Sequence, residues 1–331
     1  MERFALAAAV VLGFALTAAL CSLFVPLRRV LERREQNQQS AQSEQPRPAP
    51  LRAPLWGGLC AAAGTVAAVG VGWLAACVGQ PELLGSEGRL MTRLLTALAG
   101  SLAFGAVGLA EDLARMRSPA ALGLRRDVRL LLEALAAAFV LLLLQAAGCL
   151  PRGLDVPGAG YVLLGSAVPF LWAVLMVVLA ECARIAERDE GTVCGAAFVA
   201  MLALMMAEAG LGVPGLAVLP AALAGALVAL LLWAFPPARL GVGCCGSLLA
   251  AGAIGCIPLS LDMTSLTVPL ALPFWAAGGL LTAQLLCAKR TGKPLRCWVK
   301  KHKMSPETVF LCSFALSAVG YILALALLRW C

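Results

Sequence analysis

Acidic residues gather at two places in the chain, each at the end of a long apolar segment. One place holds the adjacent pair Glu111 and Asp112, and the other holds Glu181, Glu187, Asp189 and Glu190. Glu187 and Glu190 are three residues apart, so on a helix they share one face. Carboxylate oxygens are the ligands that Mg²⁺ prefers, and Mg²⁺ in proteins often binds phosphates as well. The two groups predict a magnesium or phosphate-handling site, with solvated acidic loops as the alternative.

A basic segment lies near the end of the chain. Residues 289–305 contain seven Lys and Arg residues, among them Lys293, together with His302, the only histidine in the chain. Lysine can hold a phosphate as a point charge. The same composition is typical of a loop kept on the cytoplasmic side of a membrane. The segment is therefore either a phosphate-binding loop or a topological marker, and His302 is either catalytic or solvated.

The composition indicates what kind of scaffold positions these groups. The chain has 331 residues, of which 61% are hydrophobic and 13% are charged. Soluble domains are about half apolar and about a quarter charged. A soluble globular enzyme, a disordered chain and a fibrous protein are excluded, and a protein that uses lipid as its solvent remains. In such a protein the net charge of +8 reports orientation rather than nucleic-acid binding.

Ten apolar segments predict ten membrane-spanning helices. Backbone groups in hydrocarbon must be satisfied within their own segment, and none of the segments alternates as a barrel strand would. We expect an all-α polytopic membrane protein that forms one transmembrane domain over residues 1–331. The segments are 4–26, 55–78, 91–110, 129–149, 159–180, 191–212, 215–235, 243–260, 267–288 and 306–329.

The distribution of Lys and Arg predicts the orientation of this domain. Of the 26 Lys and Arg residues, 20 lie in the odd-numbered connectors. Because cytoplasmic loops retain positive charge, these connectors are predicted to be cytoplasmic and both termini to lie on the outer side. Both acidic groups then face the cytoplasm. The predicted cytoplasmic connectors are 27–54, 111–128, 181–190, 236–242 and 289–305.

The thirteen cysteines and the acid Glu208 predict no separate site. Most of the cysteines lie inside apolar segments, where cysteine behaves as a small hydrophobic residue. The chain contains no C-x-x-C pair, which argues against a zinc or iron–sulfur centre. Glu208 lies within the sixth segment, where an ionisable group is costly and should face the bundle or the outer interface. The sequence gives it no role.

Four connectors, in order, resemble those of one enzyme family, the bacterial phospho-N-acetylmuramoyl-pentapeptide transferases, within the polyprenyl-phosphate phospho-sugar transferases. APLWGGL at 53–59 is similar to T-P-T-M-G-G, and GAVGLAEDLARMR at 105–117 is similar to G-F-x-D-D-x-x-K. FPPARLGVGCCGSLLAAG at 235–252, the most specific match, is similar to F-N-x-P-P-A-x-x-F-M-G-D-x-G-S-L. KRTGKPL at 289–295 is similar to K-x-T-G-K-R-I-F.

This resemblance implies a reaction and its partners. Such enzymes move a phospho-sugar, for instance phospho-N-acetylmuramoyl-peptide, from a uridine diphosphate carrier to undecaprenyl phosphate in cell-wall precursor synthesis. The reaction uses magnesium, at the cytoplasmic face of the bacterial inner membrane. Chemically it needs cations to neutralise the diphosphate and carboxylates to hold them. The resemblance also implies a homodimer, and no nucleic acid is expected.

The resemblance assigns roles to particular residues. Glu111 and Asp112 fall on the paired aspartates of the family. In the loop N-L-T-D-G-L-D-G, Arg184 falls on the asparagine, and Glu187 and Glu190 fall on the two aspartates. We therefore expect these four acids to be catalytic, and Asp112, Glu187 and Glu190 to bind the metal. The expected substrate-binding residues are the cations Arg184, Arg52, Lys293 and His302.

Other positions depart from the family pattern. The aspartate expected to contact magnesium falls on Cys244, and a thiol is a poor ligand for that ion. Gly241 replaces the aromatic residue expected to stack on uracil, and Ala234 replaces an asparagine. Two hypotheses follow: a divergent phospho-sugar transferase, or a non-catalytic relative that binds polyprenyl phosphate or a partner in envelope synthesis. A transporter or channel of other ancestry would show internal repeats and broken spans, and no convincing repeat is present.

Overall fold

The computed structural model describes most of the chain as helices. It describes residues 2–40, 56–79, 88–117, 123–151, 153–156, 160–163, 165, 167–187, 191–213, 215–235, 238–291 and 305–328. The helices are α1 (Glu2–Ser40), α2 (Gly57–Gly79), α3 (Gly88–Arg117), α4 (Arg126–Ala146), α5 (Ala167–Ala186), α6 (Thr192–Gly210), α7 (Val218–Ala234), α8 (Gly243–Ser260), α9 (Thr267–Leu270), α10 (Leu272–Thr291) and α11 (Pro306–Leu328).

These helices confirm the predicted fold class, an all-α polytopic membrane protein. In the described part of the chain, seven helices are long and apolar enough to cross a membrane, and a bent helix pair raises the number to eight. The helix α7 is also apolar but shorter. Large apolar side chains such as Leu131, Leu142 and Phe170 lie exposed on the outer surface. Because lipid is as apolar as these side chains, this exposure is expected of a membrane protein.

The helix α8 lies at the centre of the bundle. Every residue from Gly243 to Ser260 is buried, so the helix is enclosed by protein on all sides. A helix that is apolar all round is expected to be buried in this way. Helix α3 packs along it, and a side chain at Gly108 would collide with the backbone carbonyl of Cys244. Glycine at this position therefore lets the end of α3 reach the start of α8.

A short β-hairpin replaces the start of the fifth predicted segment. Strands β1 (Gly153–Val156) and β2 (Gly160–Leu163) pair antiparallel, with Val156 opposite Gly160. The segment predicted as a helix from residue 159 begins its helix only at Ala167. The sequence between the strands is Pro-Gly-Ala, and Pro and Gly favour turns over helices.

The ninth predicted segment is also interrupted. Helices α9 and α10 meet at Ala271 with a bend of 61°. Pro273 lies in the first turn of α10, and because proline has no backbone N–H it cannot continue the hydrogen bonding of α9. The carbonyl of Pro269 then lies against Gly320 of α11, where a side chain would collide with it.

Candidate functional site

The carboxylate of Asp112 holds the first turn of α8. Its Oδ1 accepts the backbone N–H of Cys244 at 3.0 Å, and its Oδ2 accepts that of Cys245 at 2.9 Å. The first N–H groups of a helix have no partner within the helix, and the cap residue Val242 supplies no side-chain acceptor. Asp112 supplies the missing acceptor from α3, and the negative charge of its carboxylate lies at the positive end of the α8 dipole. Asp112 is buried.

The start of α2 and the connector before α8 meet at the same end of the bundle. The backbone N–H of Gly57 donates to Gly241 at 3.2 Å, and that of Gly58 donates to Val242 at 2.9 Å. A side chain at Gly58 would collide with the backbone at Gly246. The backbone carbonyls just before α8 thus accept the first N–H groups of α2. This contact brings together residues of the motifs at 53–59 and 235–252.

Three acids and three arginines form a chain of alternating charge beside Asp112. Arg115 Nη2 lies 2.7 Å from Glu111 Oε1, and Arg115 Nη1 lies 3.9 Å from Glu187 Oε2. Arg129 Nη1 lies 3.5 Å from the same Glu111 oxygen. The order Glu187, Arg115, Glu111, Arg129 thus links the ends of α3, α4 and α5, and each cation faces two acids.

The series of alternating ion pairs continues to Glu181 and Arg184 of α5. Arg129 Nε donates to Glu181 Oε1 at 2.8 Å, and Arg184 Nη2 donates to Glu181 Oε2 at 2.6 Å. Glu133, one turn along α4, is fully buried and lies 3.9 Å from Arg129 Nε. We call these residues, together with Asp112, the acid–arginine centre: Glu111, Asp112, Arg115, Arg129, Glu133, Glu181, Arg184 and Glu187.

The structure brings together several of the residues named from the sequence. Glu111, Asp112, Glu187 and Arg184 belong to the acid–arginine centre, and the buried Cys244 adjoins it through its backbone. Their catalytic and binding roles stay predictions. The other expected site residues, Glu190, Arg52, Lys293 and His302, lie outside the described residues.

The described residues do not fit a magnesium ion. Both oxygens of Asp112 accept backbone N–H groups, and Glu111 Oε1 binds Arg115. The position at which the resemblance places the family's magnesium-contacting aspartate holds the Cys244 thiol, a soft group that Mg²⁺ does not prefer. Within the described ranges, no group of three or more His, Cys, Asp or Glu side chains is arranged to hold a metal ion.

Four members of the centre, Arg115, Arg129, Glu133 and Glu181, were not among the site residues expected from the sequence, and of these only Glu181 was noted there as part of an acidic group. Arg115, Arg129 and Glu133 carry an available signal, because Glu111–Arg115 and Arg129–Glu133 are spaced four residues apart. Opposite charges at this spacing face each other on a helix. Charged residues within or beside apolar segments also mark the interior of a membrane bundle. The arginines had been explained by the excess of positive charge in cytoplasmic loops, so their pairing with buried acids was not predicted.

These features define a class of protein: a multi-pass membrane protein whose helix ends gather carboxylates and guanidinium groups at one end of the bundle. The model of the family described as Glycosyl transferase family 4 matches residues 94–262, which run from α3 to the end of α8. The match covers more than half of the chain and includes the whole acid–arginine centre. The chain belongs to this family.

The chain is also similar in sequence to individual proteins that carry the name of the enzyme family noted above. The chain is 28% identical over 265 residues to the phospho-N-acetylmuramoyl-pentapeptide-transferase of Mycobacterium tuberculosis (strain ATCC 25618 / H37Rv), covering 72% of each chain. It is 34% identical over 170 residues to the transferase of the same name from Desulforudis audaxviator, covering 48% of this chain and 50% of the relative. The transferase of that name from Synechococcus sp. (strain RCC307) is 32% identical over 215 residues, covering 63% of this chain and 55% of the relative. The resemblance seen in the connectors is thereby confirmed.

Replacing Asp112 tests its role at the start of α8. Asp112→Asn leaves one acceptor oxygen and sets an NH₂ group against the N–H donors of α8. We expect the free energy of unfolding to fall by about 2 kcal/mol. Asp127→Asn, an exposed acid in the first turn of α4, is the control and should change it by less than about 0.5 kcal/mol. Equal melting temperatures for the two purified variants would contradict the cap.

Replacing Arg129 tests the charge pairing. Arg129→Gln leaves Glu133, Glu181 and Glu111 near one another in a buried place, and we expect a loss of about 3 kcal/mol of stability. The exposed Arg126 supplies the control variant Arg126→Gln, which should be near neutral. The double variant Arg129→Gln/Glu133→Gln should recover part of the loss, because it removes one of the stranded charges. No recovery in thermal unfolding would show that Arg129 acts through packing alone.

Proposed function

We propose that this chain is a phospho-sugar transferase of the bacterial cytoplasmic membrane. It transfers phospho-N-acetylmuramoyl-peptide, or a related phospho-sugar, from a uridine diphosphate carrier to undecaprenyl phosphate. The convergence of Glu111, Asp112 and Glu187 with three arginines at one end of the bundle supports this proposal. The end in question is the one that positive charge predicts to be cytoplasmic. The family and the names of its relatives support the same reaction class.

The reaction is a displacement at phosphorus. An oxygen of undecaprenyl phosphate attacks the phosphorus that bears the sugar, a new P–O bond forms, and the bond to the departing uridine monophosphate breaks. Charge on the phosphoryl oxygens must be offset throughout, and positioned cations supply most of the catalysis in such transfers. Arg115 and Arg184 would offset that charge, since guanidinium groups bind phosphate in a bidentate manner. Arg52, Lys293 and His302 are the further candidates for substrate binding.

The carboxylates have separate proposed tasks. Asp112 fixes the start of α8 and so sets the position of Cys244 and the connector before it. Glu111 has one oxygen, Oε2, that is buried without a hydrogen-bond partner, while its other oxygen binds Arg115. Glu111 would orient the Arg115 guanidinium toward the diphosphate. Glu187 and Glu190 would hold the outer side of the site.

A second candidate function is binding without turnover. The thiol at Cys244 and the arginines already paired with the acids favour a relative that holds polyprenyl phosphate, or a partner in envelope synthesis. Losing a metal carboxylate removes charge that is needed in the transition state rather than in binding. Such a protein would retain affinity for the lipid phosphate and lose the transfer.

Release of uridine monophosphate tests the transferase proposal. We expect purified protein in detergent to release it from a uridine diphosphate sugar only when undecaprenyl phosphate is present. Glu187→Gln should slow the release by about 10²-fold or more, because it removes a charged group from the site. Glu307→Gln, an exposed acid at the start of α11, is the matched control and should leave the rate unchanged. No release across a panel of such sugars would exclude the transferase.

Ligand-induced stabilisation separates the two candidate functions. A ligand that binds only the folded protein raises its melting temperature. The transferase should be stabilised both by undecaprenyl phosphate and by the uridine diphosphate sugar. A relative that only binds should respond to the lipid and not to the nucleotide. A protein that responds to neither compound would contradict both candidates.

A further inference from the structure

Helices α1 and α2 run antiparallel in direct contact, and their residues face each other in a regular register. A side chain at Gly72 would come within 3.0 Å of the Ala9 Cβ atom. A side chain at Gly64 would collide with the Thr17 hydroxyl, and it would lie 3.2 Å from the Thr17 backbone nitrogen. The step from Ala9 forward to Thr17 on α1 therefore matches the equal step from Gly72 back to Gly64 on α2. The register is the same at both contacts.

Continuing this register by one helical turn places Cys21 opposite Cys60. Cys21 follows Thr17 by four residues, and Cys60 precedes Gly64 by four. Residues at this spacing lie on the same face of a helix. Both cysteines are buried and free. Their thiols share a hydrogen bond, so the two sulfur atoms are in contact across the two helices.

The close approach of α1 and α2 suits a covalent bond between these sulfur atoms. A disulfide requires Cα atoms about 4.4–6.8 Å apart, which is closer than the usual spacing of about 8–10 Å between helix axes. Small residues such as Gly64 let two helix backbones approach in this way inside a membrane. Because the thiols already touch, a bond between them requires rotation of side chains and no shift of a helix.

We propose that Cys21 and Cys60 form an oxidation site, at which a peroxide converts the two thiols reversibly into a disulfide that joins α1 to α2. One thiol attacks the peroxide, the O–O bond breaks, and a sulfenic acid and one molecule of water form. The second thiol then displaces the hydroxyl group as a second water, and the S–S bond forms. Two electrons pass from the sulfur atoms to hydrogen peroxide, and both thiol hydrogens end in water.

The position of the pair favours a small oxidant and a normally reduced state. Both thiols are buried, but Leu23, close to Cys21 in sequence, is exposed on the surface of the bundle. A small peroxide therefore has only a short distance to travel to the thiols. These ends of α1 and α2 are predicted to face the cytoplasm, a compartment that keeps thiols reduced. The disulfide is then a product of oxidative stress and is removed by cellular reductants.

The disulfide would act on the part of the molecule that contacts the connector before α8. Cys60 lies in the first turn of α2, and the backbone N–H groups of Gly57 and Gly58 in the same turn donate to Gly241 and Val242. Oxidation would therefore attach α1 to the helix end that contacts this connector. The proposal does not depend on the proposed transfer.

Oxidation of the full-length protein in detergent tests the site. The protein is treated with hydrogen peroxide, the remaining thiols are blocked with N-ethylmaleimide, and the chain is digested without reductant. Mass spectrometry should then show a peptide of α1 linked to a peptide of α2 through Cys21 and Cys60, and reductant should separate them. Because the bond closes a loop in the unfolded chain, the oxidised protein should melt about 5 °C higher than the reduced protein.

Cysteine variants supply the controls. Cys60→Ser should abolish both the linked peptide and the rise in melting temperature, and Cys60→Ala replaces it if the serine variant does not fold. Cys77→Ser, which changes another buried cysteine of α2, should retain both. Cys60→Ser/Ala63→Cys keeps the number of thiols but moves one to an exposed position on α2. It should give at least about tenfold less peptide linked through Cys21.

The proposal is contradicted by any of three results. The first is a wild-type protein in which peroxide produces no peptide linked through Cys21 and Cys60. The second is equal linkage through Cys21 when the thiol of α2 has been moved to position 63. The third is a linked peptide that reductant does not separate. None of these measurements involves release of uridine monophosphate, so a failure of the proposed transfer would leave them unaffected.

Discussion

The structure of this site depends on the contact between the Asp112 carboxylate and the first turn of α8. Helix α8 is enclosed on every side, so water cannot reach its first N–H groups, and an unpaired buried N–H is costly. Asp112 satisfies two of these groups from a different helix. The same contact fixes the distance between α3 and α8, which Gly108 makes short enough. The positions of Glu111, Arg115 and Cys244 then follow from the geometry of the two helices.

Burial also explains why the charges alternate along the acid–arginine centre. A charge removed from water is stabilised only if an opposite charge or a strong hydrogen bond replaces the solvent. From Glu187 through Arg115, Glu111, Arg129 and Glu181 to Arg184, each acid is followed by a cation. These six residues sum to no net formal charge. Asp112 and Glu133 lie outside this alternation: backbone N–H groups of α8 stabilise Asp112, and the fully buried Glu133 lies 3.9 Å from Arg129 Nε. Each buried acid of the centre therefore has a cation or backbone donors beside it.

The sequence predicted the helices better than it predicted the site. Apolar runs of about twenty residues can only be helices in lipid, so most segments were located to within a few residues. The exceptions are α1, which continues to Ser40 where the segment was predicted to end at residue 26, and α5, which begins at Ala167 and not at residue 159. The resemblance pointed to Asp112 and Cys244, whose roles stay predictions. Hydrophobicity could not locate the hairpin before α5, because a strand of Tyr, Val and Leu is as apolar as a helix. It also could not show that Arg129 reaches Glu181, since residues 52 positions apart in sequence meet only once α4 and α5 pack.

The departure from the family pattern at Cys244 agrees with the charge beside it. A carboxylate at this position would add a second buried negative charge next to Asp112, whose Oδ1 already accepts the backbone N–H of Cys244. A thiol is small and mostly uncharged, and it is commonly found in protein interiors. Cys244 therefore needs no counterion at the start of α8, but it offers Mg²⁺ no hard oxygen ligand.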